Sequence, residues 1–290
     1  MAFSLAAFWG QLVLGLVNGA FYSLLSLGLA LIFGMMGVIN FAHGALYMCG
    51  AFSAWMLLNY LGIGYWGALV LVPILLFALG VGIESTLLRP LYRIDPVYGL
   101  LLTVGLVLVI ESVFRLAYGI SGRPYPIPSS LRGAVNLGFM YLPLYRLWVI
   151  SLSLATCIGI IVLVEYTKFG SYLRATMENP TLLGSFGLDV ARIRSATFGL
   201  GVALAGFAGA MAAPMLQVSP LMGAHLIIVA FAIVVIGGIG SIKGTVVTGM
   251  SIGVIEGLCK TVYSPAAGIV VFVVMAVVLL LRPSGLFGRV

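Results

Sequence analysis

An amide and an imidazole stand in a glycine-rich break of a long apolar opening. Asn40 and His43 lie three residues apart within Gly34–Gly50, and the first charged residue of the chain is Glu84. Both side chains can donate and accept hydrogen bonds. They predict either the lining of a hydrated passage or a hydrogen-bonded structural turn. Asn40 is also predicted to cap the helix that follows, by accepting a backbone N–H.

A second glycine-rich break lies 200 residues further along the chain, where Gly237–Gly244 matches Gly37–Gly44 at two glycines and one isoleucine. Paired glycine-interrupted segments often mark the translocation site of transporters built from repeats. Chance similarity between two such breaks is the alternative, and hydropathy does not distinguish a parallel repeat from an inverted one. The candidate residues of a substrate pathway are those in the two breaks: Asn40, His43, Gly44, Gly240 and Ser241.

The charged residues of the apolar segments come in pairs about one helical turn apart: Glu111 with Arg115, Glu256 with Lys260, and Glu84 with Arg89. This spacing predicts structural ion pairs on one helix face. For Glu84 it predicts an anchor near the membrane surface. No carboxylate lies clearly at the middle of a span, which argues against a proton- or sodium-coupled transporter.

No catalytic constellation follows from the motifs. The chain has no nucleophile elbow, no zinc-protease motif and no phosphate-binding loop. Its three cysteines are far apart and fit neither a disulfide framework nor a metal site. We therefore predict no catalytic residue, no metal site and no enzyme. If ATP drives the protein, another subunit binds it.

Composition sets the elements that must position these residues. The chain is 62% hydrophobic and 7% charged, with a mean hydropathy of +1.23, whereas a soluble domain averages roughly 25% charged residues. This predicts an all-α polytopic membrane protein forming a single transmembrane domain over residues 1–290. The first ten residues carry no basic n-region, so we expect no cleaved signal peptide. The net charge of +7 falls in loops and does not indicate nucleic-acid binding.

A span needs about 20 apolar residues, and this rule predicts eight or nine transmembrane helices, some broken by glycine-rich kinks, in two similar halves. The predicted segments are 8–33, 44–60, 65–88, 97–119, 147–166, 195–217, 225–240, 245–261 and 266–281.

Basic loops predict the orientation, because lysine and arginine accumulate on the cytoplasmic side. Arg89–Pro96, Lys168–Arg194 and Arg282–Arg289 are predicted to be cytoplasmic, and Ile120–Arg146 external. These loops agree with one another if one helix pair separates each from the next, or if three helices separate the second from the last with one of them broken or the parity adjusted. The side of the N-terminus is left open.

The predicted cytoplasmic loop, about 167–194, contains a helix too short to span a membrane. Asn179 and Pro180 form a helix start, since the asparagine accepts from the first turn and the proline lacks an N–H. Gly184 or Gly187 is predicted to end the helix. The apolar residues Leu182, Leu183 and Phe186 make it an interfacial anchor or a docking knob for a partner. The polar and basic flanks favour docking.

Several segments in order along the chain resemble the permease subunits of ATP-binding-cassette importers of the branched-chain amino-acid type, which include urea and short-amide systems. The matching pieces are 37–44, 174–190, 205–209, 237–244 and 281–288. The chain departs from the family pattern at Phe186, where relatives read closer to Leu-Gly-Ile.

The resemblance implies a permease that forms half of a translocation pathway for branched-chain or related amino acids in a bacterial or archaeal cytoplasmic membrane. A permease for urea or short amides is one alternative, and a stand-alone secondary transporter or channel is another. The implied partners are a second related permease, identical or different, two cytoplasmic ATPases that bind ATP and magnesium, and an extracytoplasmic binding protein. No cofactor is implied on this chain. The residues implied to couple to an ATPase are Glu178, Asn179, Pro180, Leu183, Gly184, Phe186 and Gly187.

Overall fold

The computed structural model describes residues 5–37 and 40–288. Val38 and Ile39 of the first predicted break, and Arg289 of the predicted C-terminal loop, lie outside the described residues. The described part is built of α-helices: α1 Leu5–Met36, α2 Ala42–Leu61, α3 Tyr65–Ile83, α4 Pro96–Tyr118, α5 Leu144–Tyr166, α6 Lys168–Glu178, α7 Pro180–Ser185, α8 Val190–Ala212, α9 Met222–Gly237, α10 Ile242–Val262 and α11 Ala267–Leu281.

Each of the nine predicted apolar segments contains a helix, although 195–217 and 225–240 extend a few residues past theirs, and the all-α polytopic membrane architecture is confirmed. Within the described ranges, seven helices are long and apolar enough to cross a membrane, fewer than the eight or nine predicted. Of the helices in the nine predicted segments, α2 and α9 do not meet this criterion. Helix α9 has 16 residues and is about 24 Å long, which is less than the hydrocarbon thickness of about 30 Å. Helix α2 is largely buried against other helices, so its surroundings do not require an uninterrupted apolar surface.

One of two compact units comprises Gly28–Pro126 and Ile160–Ile228. Its centre is α8, which packs against α2 and α3. Glycines allow the helix backbones to touch. A Cβ placed on Gly50 would lie 2.3 Å from the carbonyl oxygen of Gly206. Small residues at such contacts let apolar helices gain packing energy where the hydrophobic effect is absent.

The other unit comprises Met1–Leu27, Ile127–Gly159 and Val229–Val290. Here the first part of α1 packs on α10, and a Cβ on Gly15 would lie 2.6 Å from the carbonyl oxygen of Gly253. The Ser23 hydroxyl donates to the carbonyl oxygens of Gly19, at 2.7 Å, and Val246, at 2.9 Å. A single transmembrane domain over residues 1–290 stays a prediction.

The predicted external loop contains a single 3-10 turn at Ser129–Leu131 and a small antiparallel hairpin of β1 Ala134–Asn136 and β2 Tyr141–Pro143. Before the hairpin, Arg123 exchanges both backbone hydrogen bonds with Val218, at 2.8 and 2.9 Å. This bridge fastens the loop to the segment that follows α8.

Two of the three predicted cytoplasmic loops meet at the other end of α8. The Arg89 guanidinium donates to the Ser195 hydroxyl at 2.6 Å, so the ends of α3 and α8 lie together. Between the second basic loop and the C-terminal segment lie three helices long and apolar enough to span, α8, α10 and α11, together with the shorter α9. The common cytoplasmic side of the three basic loops stays a prediction.

The echo between the two breaks extends to the order of the elements. Helix α2 begins at Ala42 and α10 at Ile242, and after a short connection α3 begins at Tyr65 and α11 at Ala267. The same order of elements therefore occurs twice, at an offset close to 200 residues: a helix, a glycine-rich break, a second helix, a short link and a third helix. This order agrees with the predicted pair of similar halves.

Candidate pathway and coupling sites

The short helix α7 is placed as the local sequence predicts. Asn179 is extended, its side chain accepts the Leu182 N–H at 2.9 Å, and Pro180 is the first helical residue. Gly184 lies inside α7 and does not end it. The helix ends at Ser185, and Gly187 follows with φ at +79°. Glycine reaches this left-handed region without strain, so of the two predicted endings Gly187 is the one found.

The apolar side chains of α7 divide into one inner and two outer positions. Leu183 is 9% exposed, whereas Leu182 is 55% and Phe186 is 74% exposed. Leu183 thus fixes α7 to its own unit, and the other two present an apolar surface. Glu178, the last residue of α6, is exposed beside it. We call Leu182 and Phe186 the apolar tip of α7.

Helix α6 holds α7 in place, and sequence reasoning missed how. Leu173 is 3% exposed, and α6 packs against α8. A Cβ on Gly170 would lie 1.7 Å from the Val164 carbonyl oxygen, and the Arg174 guanidinium donates to the same oxygen. The glycine is the signal that could have shown this contact, since it stands within a few residues of the end of α5.

In the first break, Gly37 has φ at +63°, and α2 restarts at Ala42. The predicted side-chain cap of α2 by Asn40 is not found. Instead, the backbone carbonyl of Asn40 accepts the His43 N–H at 3.3 Å. The reason is that Phe41, and not Asn40, stands at the cap position. The Phe41 N–H points instead to the Thr103 hydroxyl of α4 at 3.4 Å.

The Asn40 amide is the unusual feature of this break. Asn40 is 2% exposed, yet neither its Oδ1 nor its Nδ2 has a hydrogen-bond partner among the described residues. Leaving a buried polar group unsatisfied costs about 1–3 kcal/mol. Most such groups in folded proteins are paired, so this amide is a candidate to bind a solute or water.

His43 and Gly44 lie at close helix contacts beside Asn40. His43 is fully buried, and its Cε1 would lie 2.9 Å from a Cβ on Gly28 of α1. A Cβ on Gly44 would lie 2.7 Å from the carbonyl oxygen of Gly223, at the start of α9. These contacts bring α1, α2 and α9 together at the break.

The second break lies in the other compact unit and is a tight turn. Gly238 and Gly240 have φ at +98° and +80°. The Ser241 hydroxyl caps α10 by accepting the Gly244 N–H at 3.1 Å. The C-terminal segment closes the turn, since the Leu286 N–H donates to the Ile236 carbonyl at 2.8 Å. Gly240 and Ser241 thus have clear structural roles, and their assignment to a pathway stays a prediction.

Replacing Asn40 with leucine separates a pathway role from a structural one. Leucine is larger than asparagine but has the same branching at Cγ, and it has no unpaired amide, so the melting temperature of the solubilised protein is expected to stay the same or rise. Solute transport, if the amide lines a pathway, is expected to fall by about tenfold, because a bound solute loses its hydrogen bonds. Asn59→Leu, an exposed change on α2, the helix that follows the break, is the control. Unchanged uptake by Asn40→Leu would exclude the amide from the pathway.

Glu84 is not the surface anchor that its spacing from Arg89 suggested. It is fully buried and is bonded across helices to Ser195, 111 residues further along the chain. Sequence reasoning missed Ser195 and Tyr92 as its partners. The signal for Glu84 itself is an ionisable residue at the end of an apolar run that is otherwise uncharged.

Comparison of the amino-acid sequence with known proteins finds similar transport proteins. High-affinity branched-chain amino acid transport system permease protein LivH of Escherichia coli is 27% identical, over 97% of this chain and 96% of its own. The probable branched-chain amino acid transport permease protein LivH of Methanocaldococcus jannaschii is 31% identical, over 91% and 88%. LivM of Escherichia coli, a permease protein of the same named system, is 27% identical, over 91% of this chain and 67% of its own.

These relatives are transport permeases and not enzymes, and the seven apolar helices make this chain a multi-pass membrane protein. The family model described as branched-chain amino acid transport system, permease component, matches residues 11–280. That match covers nearly the whole chain, including both glycine-rich breaks and the segment from α6 to α7. The chain therefore belongs to the branched-chain amino acid transport permease family.

Proposed function

We propose that this chain is the membrane permease subunit of an ATP-binding-cassette importer for branched-chain or related amino acids. It forms half of the translocation pathway in a bacterial or archaeal cytoplasmic membrane. A second related permease forms the other half, two cytoplasmic ATPases bind ATP and magnesium, and an extracytoplasmic binding protein delivers the solute. This chain needs no cofactor of its own.

The observation that carries this proposal is the geometry of α7. A capped helix of six residues is fixed by one buried leucine and presents two exposed apolar side chains. An apolar helix face laid in a partner's groove is a common recognition mode, and exposed apolar groups that are held rigidly cost little entropy on binding. The residues proposed to couple to the ATPase are Glu178, Asn179, Pro180, Leu183, Gly184, Phe186 and Gly187, of which Leu183 acts by holding α7 in its own unit.

The pathway is proposed to pass the first break, with Asn40, His43 and Gly44 at its wall. The membership of the family supports this assignment, together with the buried amide of Asn40 that has no partner in the described residues. Gly240 and Ser241 are proposed to form the corresponding position in the second break. The side chains of Asn40 and Ser241 carry no charge, and this suits a passage for a zwitterion that is selected elsewhere.

The test compares two preparations of proteoliposomes, each with radiolabelled leucine in the outside medium. One holds this chain alone, and the other holds the complex that co-purifies with it from native membranes. We expect uptake only by the complex, only with ATP on the ATPase side, and only with the binding protein present. Leucine uptake by the chain alone, driven by a proton or sodium gradient, would contradict the proposal and favour a stand-alone transporter. Uptake of urea and not leucine by the complex would support the proposed mechanism and contradict the proposed substrate.

A further inference from the structure

We propose that Glu84 is a positioning residue that links α6 and α7 to the spanning helix α3, through Ser195 at the start of α8. This rests on the proposed function, because it concerns how movement of α7 reaches the membrane part. It adds a specific joint to that mechanism, formed by one buried carboxylate and one hydroxyl.

The carboxylate is held by three donors from two parts of the chain. The Arg89 Nη2 and the Tyr92 hydroxyl donate to it at 3.0 Å each, and the Ser195 hydroxyl donates to Oε2. Arg89 also donates to the Ser195 oxygen at 2.6 Å. The serine hydroxyl is therefore in contact with both members of the ion pair. Glu84 itself has no exposure to solvent.

A change of helical winding at the end of α3 creates this arrangement. Residues Glu84–Leu88 form a π-helical turn, and Arg89–Arg93 form a 3-10 helix. In an α-helix, residues five apart point about 140° away from each other. The wider i→i+5 winding of a π-turn reduces this angle, and such turns are frequent at functional sites. The turn thus lets Glu84 and Arg89 face the same neighbour, α8.

The start of α8 is firmly connected to α7. Four residues, 186–189, join the two helices, and the Asp189 carboxylate caps α8 by accepting the Arg192 N–H at 3.1 Å. Both α6 and α7 pack against α8. The Arg194 guanidinium lies over the Tyr92 ring at 5.1 Å. A displacement of α7 therefore moves the first turns of α8, and the hydrogen bonds of Ser195 transmit this movement to α3.

Stability alone does not account for a buried charge here. Replacing a buried ion pair by well-packed apolar residues is often neutral or stabilising, because desolvation offsets the attraction between the charges. Hydrogen bonds to a carboxylate are strong and directional. They fix the register of α3 against α8, which apolar packing does not do as well. This property is needed where a movement must be transmitted.

The test is the number of leucine molecules taken up per ATP hydrolysed, measured in the same proteoliposomes for wild type and variants. Ser195→Ala removes the bond between helices and leaves Arg89 and Tyr92 to compensate the carboxylate. We expect normal assembly, retained ATP hydrolysis, and a fall of about tenfold in uptake per ATP. Ser195→Thr keeps a hydroxyl and is expected to restore the ratio.

Thr197→Val is the matched control. Thr197 is buried on the same helix, and its hydroxyl bonds to the Ile193 carbonyl of its own helix at 2.9 Å. We expect its ratio to equal that of wild type. If Ser195→Ala does not assemble, uptake per ATP is measured for Glu84→Gln instead, and the same fall is expected. An unchanged ratio in the deciding variant, or an equal fall in Thr197→Val, would overturn the proposal. Absence of ATP-driven uptake by wild type would instead overturn the proposed function.

Discussion

Phe186→Asp is expected to abolish ATP-driven uptake while the permease itself stays folded. Phe186 is 74% exposed at the end of α7, so a carboxylate at this position is hydrated in the isolated chain and costs the fold little. In a partner's apolar groove the same carboxylate loses its water without gaining a pair. Aromatic anchors at the centre of an interface often contribute about 2 kcal/mol or more, so binding should weaken by at least about thirtyfold.

The measurement is the amount of ATPase subunit that co-purifies with a tagged permease, together with the melting temperature of the permease. Leu216→Asp is the control, since Leu216 is also exposed, at 47%, and lies in the segment that follows α8. It should keep the ATPase bound. Phe186→Leu should keep most of the binding. Full recovery of the ATPase with Phe186→Asp would show that the apolar tip of α7 does not bind it.

Gly50→Val is expected to prevent the unit built around α8 from folding. The added Cβ would lie 2.3 Å from the Gly206 carbonyl oxygen and 2.4 Å from its Cα. Both atoms belong to backbone, so neither can rotate away as a side chain could. Overpacking costs about 1–3 kcal/mol where side chains can shift, and we expect more than about 3 kcal/mol where whole helices must separate.

The yield of monodisperse protein after size-exclusion chromatography and the melting temperature measure this effect. Gly105→Val is the matched control, because a Cβ on Gly105 meets nothing within 4 Å and the residue is exposed on α4. Its yield should stay near that of wild type. A Gly50→Val protein that melts at the wild-type temperature would mean that α2 and α8 do not touch at this point.

The features that the sequence predicts correctly are local ones. Apolar runs locate the apolar helices of residues 5–37 and 40–288, because a run of that length has few other stable forms in lipid. Asn179 and Pro180 predict the start of α7, since their side chains act on the next turn of the same chain. The ending of α7 needed the structure, because both Gly184 and Gly187 are compatible with it.

Contacts between distant residues were not predictable in this way. The bond of Ser195 to Glu84 joins positions 111 residues apart, and no local pattern connects them. Gly50 and Gly206 are likewise ordinary glycines in the sequence, and only packing shows that they touch. The failed prediction for Asn40 has a similar cause. A polar residue before a helix suggests a cap, whereas the helix start is set one residue later by its neighbours.

The partners of Glu84 also have an order in time. A chain is made from its N-terminus at about 5–20 residues per second. Arg89 and Tyr92, five and eight residues from Glu84, are made almost together with it, so the carboxylate is already neutralised when α3 enters the bilayer. Ser195 comes 111 residues later, after roughly 6–20 s. Insertion of α3 therefore does not have to wait for α8, and the last bond to the carboxylate is made only when the helices assemble.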